Sequence, residues 1–416
     1  MTINLFHWYK DTYSALLIVL ISLLFADSII DPSNKILHIK YVLFGLIFIV
    51  WIPKLLFEKI EVTKLFLFVL LFISIFMPFY GLSIGLINNF IHNSNIGSIV
   101  YFNSFFFFSL ALIIVNERFE LTKILNYSSL LLVLITIGFY SVLIVNPNLF
   151  GKIYEYFVIE KQAAVYGLRN YGGFTILQMF YKTSPLLVFP LSYYLYQLLI
   201  VQNKKNLILQ IFILLSILIT LFLSGTRANM ISLLLIVIFY FSFYIYKKSK
   251  ILFTILGSIY ILISFYAIYK VGGLLLNIQE ESNMVKFGHL KSYIEYFNNH
   301  IGEFIFGQGL GGSFYSSGIN QLTNITELSY FELIRIWGFP ITVIFLLVLM
   351  LPLYYEIKSK NISHLFIAYM AYLFIAGTNP LLLSSTGMIV LVYVFSEIVL
   401  KQTPTLGAQH QKHVDK

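Results

Sequence analysis

The groups able to do chemistry fall in three short stretches: Arg169 in YGLRNYGGF, Arg227 in LSGTRANM, and the run 301–340, IGEFIFGQGLGGSFYSSGINQLTNITELSYFELIRIWGFP. A guanidinium is a permanent cation whose planar fork of donors matches a phosphate or diphosphate. Arg227 lies between one apolar run ending in LFLS and another beginning MISLLL, so a two-helix hairpin with the turn Ser224-Gly225-Thr226 presents it at a membrane face. An arginine at that boundary is expensive and needs a partner. It reads as an anion ligand or as a side chain snorkelling to the headgroups. Arg169 reads as a phosphate ligand or as a loop charge paired with Glu155 or Glu160. Two arginines reaching one side of a membrane are what a lipid-linked diphosphate would require.

The third stretch adds carboxylates and glycines. With Thr326 as an N-cap and helix beyond it, Glu327, Phe331 and Ile334 share a face, while Glu332 and Arg335 are three apart and neutralise each other. Glu327 has no such neighbour. A carboxylate at a partly desolvated helix start is placed to act as a general base, and favourable interaction with the helix dipole is its plainer role. Gly307, Gly309 and Gly312 match the dinucleotide pattern G-x-G-x-x-G, but no strand-turn-helix unit surrounds them, so a Rossmann site is excluded. Backbone permissiveness beside a bulky ligand, or a plain loop turn, is the expectation for these glycines. His289 and His300 are not spaced as a metal pair on one helical turn, and no HxxxH or HExxH occurs, so no metal site is expected.

The elements that must position these groups are membrane helices. The chain of 416 residues is 59% hydrophobic and 11% charged, with a mean hydropathy of +0.86, whereas a soluble domain carries about 25% charged residues. The net charge of +9 is spread in short clusters between apolar runs, which fits positive-inside topology and not nucleic acid. Without cysteine, disulfides and thiolate chemistry are excluded. The N-terminal MTINLFHWYKDTYS shows no cleavage site after its apolar run and reads as a retained first span.

Twelve apolar runs are expected as transmembrane helices, near 13–29, 38–53, 64–80, 98–116, 124–145, 184–201, 207–223, 229–246, 251–269, 328–354, 363–377 and 386–400. The expected fold is thus all-α and polytopic, a single membrane domain over 1–400 with no alternating strand pattern and a disordered cytoplasmic tail at 401–416. Lysine-bearing connections alternate with lysine-poor ones, which puts both termini in the cytoplasm. Two outer connections, about 146–183 and 271–326, are too long for turns and are expected to be functional. Amphipathic caps are expected in them, with HLKSYIEYF as a short interfacial helix.

Twelve spans, two large outer loops, R-x-x-G-G-F at Arg169 to Phe174, S-G-T-R at Ser224 to Arg227, and G-x-G-L-G followed by ELSYFELIRIWGF together resemble the O-antigen ligase and polymerase superfamily. Within it the chain looks most like a Wzy-type O-antigen polymerase. The resemblance implies transfer of a growing glycan from undecaprenyl diphosphate onto an incoming lipid-linked repeat unit, at the periplasmic face of a bacterial inner membrane. It implies no cofactor, no nucleotide sugar and no metal, and a chain-length regulator in the membrane as a partner. It makes Arg227 and Glu327 the catalytic candidates, with Arg169, Arg227, Gly309, Gly312, Tyr330 and Arg335 as substrate-binding candidates. A ligase transferring glycan to lipid A-core is an alternative, but the ligase branch often has a histidine where Glu327 stands, and that departure weakens a ligase assignment. A non-enzymatic flippase is a second. It should place functional charges within the bundle and show repeated halves, whereas the charges here gather at one face.

Overall fold

The computed structural model describes residues 2–57, 62–90, 99–171, 174–202, 206–250, 254, 281–359 and 362–402. Apolar side chains leave the backbone of each run to satisfy its own N–H and C=O groups, which a helix does locally. The helices are α1 (Thr2–Ile30), α2 (Lys40–Phe57), α3 (Lys64–Ile87), α4 (Val100–Glu117), α5 (Thr122–Val145), α6 (Ser184–Val201), α7 (Leu207–Leu223), α8 (Arg227–Lys248), α9 (Glu281–Asn299), α10 (Ile301–Phe306), α11 (Ser329–Trp337), α12 (Phe339–Lys358), α13 (His364–Ala376) and α14 (Ser385–Gln402). Among the described residues, eight helices are long and apolar enough to cross a membrane, and α7 and α13 are shorter apolar helices. This is a helical membrane protein.

Two departures from the expected spans have local causes. The run 328–354 is not one helix but breaks at Gly338, which has φ +80° and lies against the backbone of Ile305 and Gly307. Pro340 then opens α12 within its first two positions, where a missing N–H is harmless. The expected span at 251–269 lies outside the described residues, as do residues 271–280 of the second loop and 403–416 of the expected tail.

The all-α expectation also needs correction. Each long loop contains an antiparallel hairpin, β1 (Ala164–Tyr171) with β2 (Phe174–Tyr181), and β3 (Phe314–Ser316) with β4 (Gln321–Thr323). The first hairpin replaces the second half of the cap expected at 146–183. The helix expected around HLKSYIEYF is present and begins earlier, at Glu281.

Helix α14 is the centre of the bundle. Of its spanning window 72% is buried, against 22% for α8, and it packs on α1, α4, α5 and α12. Side-chain contacts sort the connections into two ends. At one end Lys54 pairs with Glu117 and Lys401 with Glu356, each at 2.8 Å. At the other, Ser33 Oγ donates to Lys161 O, Asn88 Nδ2 to Gln308 O and Ser329 Oγ to Asn379 O. Both hairpins and α9 lie at this second end.

Candidate functional site

The β1–β2 hairpin supplies one wall of a cleft. Its register pairs Val165 with Phe180, Gly167 with Gln178 and Arg169 with Ile176. Successive strand residues point to opposite faces. Ala164, Tyr166, Met179 and Tyr181 are buried on one face, while Val165, Arg169, Gln178 and Phe180 line a cavity of about 260 Å³ on the other. Arg169 and Gln178 are diagonal neighbours across the strands, and Nη1 of Arg169 donates to Oε1 of Gln178 at 3.4 Å.

The α7–α8 turn supplies a second wall with Thr226, Arg227 and Ala228. Gly225 adopts φ +63°, and a Cβ there would sit 2.7 Å from the Gln178 side chain, so the turn and β2 touch where only glycine fits. Arg227 is the first residue of α8, and Nη1 donates to Oδ1 of Asn283 at 2.9 Å. A cation at a helix N-terminus meets the positive end of the helix dipole, an arrangement that an anion relieves. No acidic residue occupies the first turn of α8, and the buried Thr226 hydroxyl beside it has no hydrogen-bond partner among the described residues.

Helix α9 places Asn283 and Lys286, three residues apart on one face, along the same cavity. Glu327 stands at its rim, with Oε2 3.7 Å from Nζ of Lys286 and its side chain 51% exposed. Thr378 and Asn379, in the connection between α13 and α14, complete the lining. The charged groups sum to three cations and one carboxylate, a net positive cleft with amide and hydroxyl side chains between the charges.

Arg169, Arg227 and Glu327 therefore share one cavity, drawn from segments up to 158 residues apart in the sequence. The local setting of Glu327 differs from expectation, since α11 begins at Ser329 and leaves Glu327 in the preceding bend, half exposed. Thr326 is not its N-cap. That residue is Leu328.

The other substrate-binding candidates lie elsewhere, held by the protein itself. Arg335 is completely buried, and all five of its N–H groups are taken, by both oxygens of Glu332, the side chain of Gln308 and the carbonyls of Gly312 and Asn324. It has no donor left for a substrate, and the neutralising pair with Glu332 is as the spacing suggests. Gly309, at φ +84°, has Gly85 of α3 where its Cβ would be, 2.1 Å from that backbone nitrogen. A Cβ on Gly312 would strike Gln308. The neighbour that requires these glycines is protein, not a ligand. Tyr330 donates to Leu373 O at 2.6 Å and packs its ring on Gly377, so it joins α11 to α13.

Gln178, Thr226, Asn283, Lys286, Thr378 and Asn379 were not singled out by sequence. Amides and hydroxyls in loops are too common to stand out, yet one signal was present for the wall that holds Gln178. Two runs rich in aromatic and β-branched residues flank Gly172-Gly173, and two glycines between such runs mark a hairpin. Tyr171 pairs with Phe174 on either side of them, and the two glycines themselves lie outside the described residues.

His289 on α9 is buried, with Nδ1 2.5 Å from Ser316 Oγ on β3, and burial pushes its pKa below the ordinary 6.5. Among the described residues, no three His, Cys, Asp or Glu side chains converge as metal ligands. No family model matches the chain, and no curated protein or solved structure is similar to it.

Proposed function

We propose that this protein is a glycosyltransferase that uses a polyprenyl diphosphate-linked glycan, of the O-antigen polymerase type. The observation that carries this reading is the convergence of Arg169 from a strand and Arg227 from a helix N-terminus on one cationic cleft at the loop end of a membrane bundle. A diphosphate is already a good leaving group. The protein has to stabilise its charge, align an acceptor hydroxyl and take that hydroxyl's proton.

In the proposed step the acceptor oxygen attacks the anomeric carbon of the donor glycan. The bond from that carbon to the diphosphate oxygen breaks, its electron pair leaves with the lipid diphosphate held by Arg169 and Arg227, and the acceptor proton passes to Glu327. Gln178 and Asn283 orient the two guanidinium groups. Thr378 and Asn379 offer hydrogen-bonding groups where sugar hydroxyls would lie. Basic residues occur at both ends, Lys35, Lys152, Lys161 and Lys182 among those at the cleft end, but the short connection 378–384 there carries none while Lys54, Lys64, Lys247, Lys248, Lys358 and Lys401 lie opposite, which supports a cytoplasmic location for the opposite end and a periplasmic cleft in a bacterial inner membrane.

The test is the lipopolysaccharide pattern of a deletion strain complemented with variants. Arg227→Ala should insert normally yet make no polymer, a loss of about 10²-fold or more. Arg227→Lys should recover little, because a point charge does not replace a fork. Full polymer from Arg227→Ala would refute the reading. A bare core in the deletion strain would assign the ligase reaction instead, and repeat units stranded at the cytoplasmic face would assign a flippase.

A further inference from the structure

Arg169 donates to the amide oxygen of Gln178 and Arg227 to that of Asn283, and Lys286 faces the carboxylate of Glu327. The separation of 3.7 Å is the long end of an ion pair, and both side chains are partly exposed, 33% for Lys286 and 51% for Glu327. Such pairs are screened by water and hold weakly. The buried pair of Glu332 and Arg335, at 2.5 Å with neither side chain exposed, shows what a permanent ion pair looks like in the same molecule.

We propose that Lys286 is a positioning residue: it holds Glu327 in the resting cleft and releases it when a diphosphate enters and takes the lysine ammonium. The inference rests on the reading of the cleft as a diphosphate site and deepens it by coupling the donor to the base. Lys286 is rooted on a regular helix, one turn beyond the Asn283 that orients Arg227, and both line the cavity. Its charge sits on a flexible four-carbon stem, so it can turn to a new anion without movement of the backbone. A diphosphate beside Arg227 carries more negative charge than one carboxylate, and a weak partner is exchanged for a stronger one. Glu327 is then left without its cation in the occupied site, where an acceptor hydroxyl can give it a proton. Before the donor arrives the ion pair competes for the carboxylate, so donor binding favours its release.

The test is calorimetric titration of inorganic diphosphate into the full-length protein in nanodiscs, for wild type, Lys286→Met, Glu327→Gln and the double variant. Both side chains are at the surface of the cleft, and thermal melts of each variant verify folding. If Glu327 competes with the anion for Lys286, Glu327→Gln should tighten binding by roughly two- to fivefold in the wild-type background, the scale of an exposed ion pair. Part of any gain comes from removing a nearby negative charge, and that part survives in the Lys286→Met background. The proposal therefore expects the gain to shrink there. Equal gains in the two backgrounds, or no weakening by Lys286→Met, would overturn it. An Arg227→Ala arm separates the two levels: if wild type and Arg227→Ala bind diphosphate alike, the site reading itself fails, whereas Arg227-dependent binding with equal gains removes the Lys286 role alone.

Discussion

Glu327 and Glu332 are five residues apart and stand in opposite environments. Glu332 is fully buried, accepting from the Tyr293 hydroxyl at 2.5 Å and from Arg335 through both oxygens. Removing one partner of a buried pair strands the other, at a cost of about 3–5 kcal/mol. Glu332→Gln should therefore lower folded yield and melting temperature while turnover per folded molecule stays near wild type, as measured by fluorescence-detected size exclusion and an assay on purified lipid-linked repeat unit. Glu327→Gln should do the reverse. Folding should be unchanged and turnover should fall by about 10²–10⁴, the range of a lost general base. Near-normal turnover in Glu327→Gln would remove it from the chemistry. Arg169, Arg227 and Glu327 could be picked out because a charge in so apolar a chain is rare and costly. Arg335 and the glycines lie outside the cleft against protein neighbours, which spacing could not show because it reveals a residue's type and not the partner that claims it. Only the packing of α3 onto the glycine loop shows what occupies the space beside Gly309.

At the scale of elements, the hairpin and the α7–α8 turn meet closely where the glycine at position 225 lies against Gln178. Alanine at a left-handed position is strained, by more than about 1 kcal/mol, and here the added methyl also pushes into the side chain that orients Arg169. Gly225→Ala should thus lose more activity than stability. A melting temperature that falls in step with turnover would leave strain as the whole effect. The α9–β3 contact carries a different signature. Burial holds His289 below its ordinary pKa of 6.5, against the pull of Glu327 and Glu332, so the folded state prefers the neutral ring. The stabilisation is fully present above 6.5 and is lost as pH falls through the lower folded value. Hydrogen-exchange protection in 281–323, taken relative to the intrinsic rate at each pH, should weaken between pH 7.5 and 5.5, and His289→Asn should flatten that dependence. The helices were readable because lipid forces each apolar run to one solution. The hairpins lie in loops, where water can satisfy the backbone and strand pairing depends on what the chain packs against.

At the scale of the molecule, two ends with different charge make a directional prediction. The chain has no cysteine, so single introduced cysteines report cleanly. Leu168→Cys and Leu322→Cys, both highly exposed at the cleft end, should react with an impermeant maleimide in spheroplasts, and Lys248→Cys should not. Labelling of position 248 from outside would invert the topology. The cleft draws on the hairpin, the α7–α8 turn, α9, Glu327 and the connection after α13, which is why no single motif displayed it.

Helix α14, the most enclosed of the eight spanning helices described, follows the other seven in the chain. Translation proceeds from the N-terminus, and early segments fold or wait before late ones exist. Both cleft arginines are thus synthesised well before the helix around which the bundle closes, and α1, α4, α5 and α12 gain their packing against it only once it is made. A stop codon just before Ser385 would remove no cleft-lining residue. It should nonetheless leave an inactive chain for membrane proteases, with pulse-chase decay far faster than that of a chain ending after Gln402.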